Sequence, residues 1–365
     1  MSRVGVVFGG RSVEHQVSVV SGRAVAGALR AAGHEVVALG VAQDGCWMGV
    51  EASEAALWGS VRALEPLGLP PSPTLRHLLA APVDVVFPIT HGTWGEDGTL
   101  QGLCEMLDLP YVGAGVTASA VAMDKLLCKR VLQAAGLPVV AHWTVARADF
   151  DLEETACLSQ LAGAPLPLFV KPSVGGSSVG IRKVERREDL AAALEFALRF
   201  DDTVLVERGI TGRELECGVL GYETLAASAV GEIVPGNAFY DYQDKYLQDR
   251  ARLLAPAQLP AAVTAEVRRL AVEAFASIGG VGMARVDFFL EGADAPEPRR
   301  LYVNEINTLP GFTAISMYPR LWGLSGVPLP QLVDRLVEIA LRRHAARARL
   351  DRGIKEWLGG LGGRG

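Results

Sequence analysis

Two late apolar segments each carry side-chain oxygens that could hold a metal ion. Asp287 lies in the run Val286–Phe288, and Glu305 and Asn307 lie in the run Val303–Asn307. Because strand side chains alternate between faces, Glu305 and Asn307 point the same way, and an adjacent strand would bring Asp287 beside them. Hard oxygen donors with an incomplete shell suit Mg²⁺, which completes its shell with water and phosphates. Exposed residues at strand ends are the alternative interpretation of this spacing.

A cation and a glycine-rich loop indicate that this metal would serve a phosphate. Arg285 lies two residues before Asp287, so the same alternation places a positive charge on the metal face. Two predicted strands, Leu168–Lys171 and Val179–Val184, flank a loop of Gly and Ser whose backbone N–H groups can approach phosphate oxygens. The loop lacks a Walker A ending, and no helix follows its G-x-S-x-G, which excludes a nucleophile elbow. A flexible hairpin is the alternative.

Two turns in the first third of the chain could bind a small molecule. The turn Phe8–His15 lacks the G-x-G-x-x-G of a dinucleotide site. Its Glu14 nevertheless places a carboxylate at the C-terminal edge of a predicted parallel sheet, where it could hold an ammonium group. As an alternative, Glu14 is only a favourable acid at a helix N-terminus. The segment Thr90–Gly98 is rich in glycine, which allows close backbone approach, and we interpret its His91 as a binding residue.

Two later segments give weaker signals. A strand leads into the turn Arg208–Ile210, whose backbone groups could contact an adenine edge, while Glu214 could accept from ribose hydroxyls. The long polar and aromatic loop Phe239–Tyr246 is typical of an active-site lid, and its Lys245 could bind a carboxylate. A mobile surface loop is the alternative.

The elements that must position these residues fall into three groups. Residues 1–122 alternate apolar strands with helices, which predicts a parallel sheet covered on both faces. Residues 123–212 predict a small α+β unit, and residues 213–350 predict further strands and helices that end with a helix from Leu329 to about Arg349. Residues 351–365 are glycine-rich and predict a flexible tail. The fold class is therefore α/β and α+β, in three domains.

The composition excludes several classes of protein. The chain has 365 residues, of which 50% are hydrophobic and 21% charged, so it can bury sizeable cores and is not disordered. A net charge of −6 without a basic stripe argues against a nucleic-acid partner. Five dispersed cysteines without a C-x-x-C pair argue against zinc and suit a reducing compartment. No apolar run approaches the roughly 20 residues of a membrane helix. We therefore expect a cytoplasmic protein that binds small molecules.

Taken in order, these motifs resemble those of the ATP-grasp superfamily and, within it, the D-alanine–D-alanine ligase family. The segments that carry the resemblance are Gly9–Ser18, His91–Gly98, Met123–Lys125, Lys171–Gly180, Tyr240–Tyr246, Arg285–Asp287 and Asn304–Thr313. The resemblance covers nearly the whole chain. It implies a Rossmann-like N-terminal domain followed by a two-part ATP-grasp fold. It also implies a homodimer that joins two D-alanine molecules at the expense of ATP, for peptidoglycan precursor synthesis.

The resemblance further implies a role for each site residue. Those that would contact ATP are Lys125, Lys171, Ser177, Ser178, Glu207, Arg208, Ile210, Glu214 and Lys245. Those that would hold two Mg²⁺ or Mn²⁺ ions are Asp287, Glu305 and Asn307. Glu14, with His91 nearby, would bind the ammonium of the first D-alanine, and Lys245 and Ser316 the carboxylate of the second. Arg285 and the Gly311 N–H would form an oxyanion hole. Ser177, Glu14 and Tyr246 would form a hydrogen-bonded triad between the lid loops.

Three alternatives stay open at the level of sequence. A D-alanine–D-lactate ligase or another ATP-grasp amino-acid ligase is the first, although relatives that form the ester replace the lid tyrosine that is present here as Tyr246. A nicotinamide oxidoreductase is the second, and the missing G-x-G-x-x-G counts against it. A non-catalytic nucleotide sensor is the third, and the intact set of metal and cation residues, from Arg285 to Asn307, argues otherwise.

Overall fold

The computed structural model describes residues 1–234, 252–292 and 300–350, and three β-sheets organise them. The first sheet is parallel, with strand order β2-β1-β3. Its elements are β1 (Arg3–Gly9), α1 (His15–Ala31), β2 (Glu35–Val41), α2 (Val50–Trp58), α3 (Pro71–Thr74), α4 (Arg76–Leu79), β3 (Val85–Pro88) and α5 (Thr99–Met106). This is the parallel sheet that the alternation of strands and helices predicts.

The sequence explains why β1 ends where it does. Val4 and Phe8 are fully buried, as expected for a parallel strand covered on both faces. Gly9 has φ +92°, and a Cβ there would lie 2.2 Å from the carbonyl oxygen of Val41. Only glycine fits this turn. It delivers Glu14 to the C-terminal edge of the sheet, immediately before α1.

The second sheet is antiparallel, with strand order β4-β7-β5-β6. The elements of this part are α6 (Val116–Met123), α7 (Lys125–Ala134), β4 (His142–Ala146), α8 (Arg147–Gln160), β5 (Leu168–Pro172), β6 (Arg182–Val184), a 3₁₀ turn (Arg187–Asp189), α9 (Leu190–Leu198) and β7 (Thr203–Arg208). The sequence analysis did not predict α6, β4 or α8. The strand expected at Val179–Val184 is shorter, because Ser177, Ser178 and Gly180 take positive φ angles and form a turn.

The third sheet is also antiparallel, with strand order β10-β9-β8-β11-β12. Its elements are β8 (Gly212–Gly221), β9 (Leu225–Val234), β10 (Arg252–Leu254), α10 (Ala261–Ser277), β11 (Gly282–Glu291), β12 (Arg300–Asn307), α11 (Met317–Leu324) and α12 (Leu329–Ala348). The prediction that the two late strands are adjacent is confirmed, since β11 pairs directly with β12. Helix α11 was not predicted.

The last helix packs against the first sheet. Leu332 and Leu336 of α12 belong to the same buried cluster as Val4 and Phe87 of β1 and β3. Arg343, which is only 6% exposed, donates to the carbonyl oxygens of Tyr111 at 2.8 Å and Gly113 at 2.5 Å. The parallel sheet is therefore covered by a segment far away along the chain. The domain boundaries at residues 122, 212 and 350 stay a prediction.

Within the described ranges, no helix is long and apolar enough to cross a membrane.

Candidate active site

A cavity of about 260 Å³ collects side chains from all three parts of the fold. The predicted site residues that line it are Glu14, His91, Lys125, Lys171, Ser177, Ser178, Glu214, Arg285, Asp287, Glu305, Asn307, Gly311 and Ser316. Residues from seven separate stretches of the sequence thus meet at one place. Glu207, Arg208 and Ile210 do not line this cavity, and Lys245 and Tyr246 lie outside the described residues.

The metal face of the cavity lies on three neighbouring strands. Asp287 on β11 stands opposite Glu216 on β8 and opposite Glu305 on β12. Arg285 stands opposite Asn307, whose amide nitrogen donates to Asp287 Oδ2 at 3.0 Å. The alternation of strand side chains therefore brings the three predicted ligands together.

Arg285 is held by two carboxylates at once. Its Nε and one terminal nitrogen each contact a different oxygen of Asp287 at 2.7 Å, and its Nε lies 3.0 Å from Glu216 Oε1. Burial alone would lower the pKa of Arg285, but Asp287 and Glu216 together hold it well above its usual value. The cavity thus contains a positive charge of fixed position.

The donor set suits a hard divalent cation. In the described part of the chain, no three His, Cys, Asp or Glu side chains are arranged so that they alone could hold a metal ion, so the amide of Asn307 would complete the pair Asp287 and Glu305. Two carboxylates and an amide oxygen are ligands of Mg²⁺ or Mn²⁺ and not of a thiophilic metal. Because Asp287 also pairs with Arg285, an ion here would share that carboxylate with the guanidinium.

The glycine-rich loop faces this metal set. Lys125 Nζ donates to the carbonyl oxygen of Gly175 at 2.6 Å, which ties α7 to the loop. Burial lowers the pKa of Lys125, and the carboxylate of Glu305 opposes this. Ser177 has φ +51°, and its buried Oγ has no hydrogen-bond partner among the residues that the structure describes. A glycine-rich turn with a hydroxyl that has no hydrogen-bond partner among the described residues suits a phosphate.

Lys171 shares a buried carboxylate with a second lysine. Its Nζ forms an ion pair with Glu207 Oε2, and Lys129 Nζ lies 2.6 Å from the other oxygen, Oε1. Glu207 and Lys129 are each 2% exposed. Burial would raise the pKa of Glu207, but Lys129 and Lys171 lower it to about 2. Glu207 therefore stays ionised between two lysines.

Another part of the cavity lining is acidic. A Cβ on either Gly92 or Gly176 would lie 3.2 Å from Glu14 Oε2, so both glycine turns approach this carboxylate closely. Glu96 also lines the cavity and accepts from the Gly92 N–H at 2.8 Å. Burial, reinforced by Glu14, raises the pKa of Glu96 to about 8. A substrate ammonium would find two carboxyl groups here.

His91 connects α1 to the loop after β12. The carbonyl oxygen of Leu309 can only accept, so His91 Nδ1 donates to it at 2.9 Å. In the neutral ring Nε2 is then the acceptor, so Ser21 Oγ, which lies 3.2 Å from Nε2, donates to it and itself accepts from the Phe312 N–H at 3.2 Å. Burial lowers the pKa of His91, although Glu14 opposes this, so the imidazole is neutral. His91 fixes the loop 309–313.

The last two predicted residues are Gly311, within that loop, and Ser316, which follows it. A Cβ at Gly311 would lie 2.7 Å from Ser316 Oγ, so the position has no room for a larger residue. Ser316 Oγ accepts from the Thr313 N–H at 2.9 Å and precedes α11.

The residues predicted to line the adenine lie outside the cavity. Arg208 pairs with Glu291 and its guanidinium lies 3.4 Å from the Tyr302 hydroxyl, while Ile210 is half-buried beside it in the turn to β8.

Four residues near the site were missed by the sequence analysis. Glu216 follows Glu214 by two residues, so strand alternation alone would have found it. Lys129 follows Lys125 by one helical turn and could have been found in the same way. Glu96 lies within the glycine-rich segment Thr90–Gly98. Ser21 gave no signal, because a serine on a buried helix face is ordinary.

Two family models match this chain. The model described as D-ala D-ala ligase N-terminus matches residues 3–114, and the one described as D-ala D-ala ligase C-terminus matches residues 131–338. A D-alanine--D-alanine ligase of Solibacter usitatus (strain Ellin6076) is 48% identical over 342 residues, which is 94% of this chain and 96% of that protein. D-alanine--D-alanine ligase A of Escherichia coli (strain K12) is 44% identical over 363 residues, or 94% of this chain and 97% of that protein.

Solved structures agree with this similarity. The D-alanine-D-alanine ligase from Coxiella burnetii is 35% identical with a TM-score of 0.78 and covers 95% of this chain and 96% of its own. The VanG D-Ala:D-Ser ligase from Enterococcus faecalis is 32% identical, also with a TM-score of 0.78, and covers 93% of this chain and 99% of its own. The predicted fold class, a parallel-sheet unit followed by a two-part ATP-grasp fold, is confirmed.

Proposed function

The chain belongs to the D-alanine–D-alanine ligase family, and we propose that its cavity joins two D-alanine molecules at the expense of ATP through an acyl phosphate. One observation supports this assignment above all. The arginine and carboxylate set of β11 and β12, the lysine-bearing glycine-rich loop, and the paired acids Glu14 and Glu96 line a single cavity. A phosphate donor, a carboxylate and an ammonium can therefore bind side by side.

The first step activates a carboxylate. A carboxylate is a poor electrophile, so an oxygen of the first D-alanine attacks the γ-phosphorus of ATP, and ADP leaves with the electron pair of the broken bond. Lys171 and Arg285 offset the negative charge that gathers, while Glu14 holds the ammonium of the same D-alanine. Ions held by Asp287, Glu305 and Asn307 would supply further positive charge at the phosphates when bound.

The second step forms the peptide bond. The unprotonated amine of the second D-alanine attacks the acyl carbon, and Arg285 with the Gly311 N–H stabilises the tetrahedral oxyanion. Phosphate then leaves with the electron pair of the acyl carbon–oxygen bond, and the proton that the amine nitrogen loses passes to solvent. No enzyme nucleophile is required. The five cysteines are all buried, and burial raises the pKa of Cys104, Cys128 and Cys217 to about 12, which leaves no reactive thiolate among them.

Membership of the family also suggests finer properties of the chain. The chain takes ATP and D-alanine as small-molecule substrates. We propose two Mg²⁺ or Mn²⁺ ions, a homodimer, a cytoplasmic location and a role in peptidoglycan precursor synthesis. We also propose that Glu207, Arg208 and Ile210 line the adenine, that Glu214 binds the ribose, and that Lys245 and Tyr246 belong to a lid that excludes water from the acyl phosphate.

A coupled ADP-release assay tests the proposal directly. The full chain is assayed with Mg²⁺ and D-alanine, L-alanine, D-serine or D-lactate, and products are identified by mass. D-serine is included because a similar solved structure is a D-Ala:D-Ser ligase. We expect D-alanyl-D-alanine as the main product and no turnover of L-alanine. A folded protein that releases no ADP with D-alanine would refute the proposed function.

The metal assignment has its own test. Glu305→Gln removes the negative charge of one proposed ligand on β12 and keeps the size of that side chain. We expect it to lower turnover by at least about 10²-fold, comparable to loss of a transition-state donor. Glu232→Gln is the matched control, because Glu232 lies on the same sheet, pairs with Arg213 and does not line the cavity. Unchanged turnover in Glu305→Gln would overturn the assignment.

A further inference from the structure

A lysine that plays no part in the mechanism above is buried behind the phosphate loop. Lys129 lies on α7, one turn after Lys125, and only 2% of it is exposed. Its Nζ lies 2.6 Å from Glu207 Oε1 and 3.4 Å from the carbonyl oxygen of Asn304 on β12. A buried lysine is costly unless it is paired, so its position calls for a physical reason.

Glu207 is shared between Lys129 and the phosphate lysine. Lys171 lines the cavity, whereas Lys129 and Glu207 do not. In the structure Lys171 Nζ is paired with Glu207 Oε2, so a phosphate in the cavity would compete with this carboxylate for the same ammonium group. Glu207 is 2% exposed, and a buried carboxylate without a cation is strongly unfavourable.

We propose that Lys129 is a positioning residue that frees Lys171 for the phosphates of ATP, because it keeps Glu207 paired when Lys171 binds a phosphate. The inference rests on the proposed phosphate role of Lys171 and deepens it. Without Lys129, Lys171 would be the remaining cation for Glu207, and moving it to a phosphate would strand the carboxylate. Lys129 therefore lowers the free-energy cost of nucleotide binding without contacting the nucleotide.

The substitution Lys129→Met tests this, since methionine keeps an unbranched side chain and removes the charge. Binding of Mg²⁺–ATP and of adenosine is measured by calorimetry on the full chain without D-alanine. We expect ATP affinity to fall by at least about tenfold, the scale of one hydrogen bond to a charged group. Adenosine carries no phosphate for Lys171, so Lys171 can stay paired with Glu207, and the affinity for adenosine should stay within about twofold. Lys129→Arg, which keeps the charge, should retain most of the ATP affinity.

The contrast between the two ligands separates positioning from a merely structural role. A damaged fold would weaken adenosine and ATP alike, and that outcome would overturn the proposal. So would unchanged ATP binding in folded Lys129→Met. Failure of the proposed function would look different, because the wild-type chain itself would then not bind ATP or release ADP.

A second pair of variants keeps the test decisive if Lys129→Met does not fold. Glu207→Gln removes the buried charge, so the side chain at position 207 is a neutral amide that does not need a cation when Lys171 binds a phosphate. In that background Lys129 should be dispensable, and Glu207→Gln and the double variant Lys129→Met/Glu207→Gln should bind ATP within about twofold of each other. A tenfold further loss in the double variant would contradict the proposed role of Lys129.

Discussion

At the residue scale, Arg285 contacts a carboxylate, Glu216, that lies outside the proposed set of metal ligands. An ion bound by Asp287 would compete for the oxygens that now hold the guanidinium, whereas Glu216 is buried on β8 and contacts Arg285 Nε at 3.0 Å. We expect Glu216→Gln to lower kcat by about tenfold or more, since one oriented donor is worth about 10²–10³ in rate and the amide still accepts one bond. The KM for ATP should change much less.

Steady-state kinetics measures this, with Glu232→Gln as the control on the same sheet. Equal kcat values for the two variants would show that Glu216 does not orient Arg285.

A second prediction at this scale concerns pH. Because the pKa of Glu96 is raised to about 8, its carboxyl is neutral at pH 7 and becomes charged above pH 8. The charged groups that face it are Glu14 and Arg285, with His91 buried alongside. Ionisation adds negative charge at the ammonium site, so the KM for the first D-alanine should fall as the pH rises from about 7 to 9.

Glu96→Gln should flatten this part of the profile. Initial rates of both proteins are compared at each pH, so that the titration of the substrate amine cancels. Parallel profiles would contradict the prediction.

At the scale of elements, α1 positions a loop that lies almost three hundred residues later. Ser21 bonds both to His91 and to the Phe312 N–H, and His91 bonds to the Leu309 carbonyl oxygen. We therefore expect Ser21→Ala to displace Gly311 and slow peptide-bond formation by about tenfold, while acyl-phosphate formation is preserved. Positional isotope exchange in ATP measures the first step, and dipeptide release measures both.

Ser18→Ala is the control, because Ser18 is equally buried on α1 but bonds to Gly9 and Ile89. If both steps slow equally in Ser21→Ala, the loop is not the affected element.

The same elements show what a sequence can predict. The convergence of Asp287, Glu305 and Asn307 follows from two-residue alternation, which is local, and it needed only the pairing of two adjacent strands. The contact between Lys129 and Glu207 joins a helix and a strand, so it depends on helix rotation and tertiary packing that periodicity does not give. The positive φ of Ser177 and Ser178 was also invisible, since it is imposed by the loop around them.

At the scale of the whole molecule, Arg343 is a buried polar link between α12 and the first part of the chain. We expect Arg343→Met to lower the free energy of unfolding by about 2–4 kcal/mol, because it leaves two buried carbonyl oxygens unpaired. Arg342→Met is the matched neighbour: its pair with Glu223 is exposed and should contribute at most about 1 kcal/mol. Denaturant unfolding measures both, and equal losses would contradict the assignment.

The packing of α12 on the parallel sheet also constrains the order in which the protein can be made. As the ribosome releases β1, β2 and β3, the apolar face around Val4 and Phe87 lacks the part of its cover that α12 supplies, because Leu332 and Leu336 have not yet been synthesised. The apolar face of the first sheet therefore stays partly uncovered until both later sheets have been translated, and until then it can bind a chaperone or aggregate. A nascent chain stalled before Leu329 should be sensitive to protease within its first hundred residues, and one released after Ala348 should be protected there.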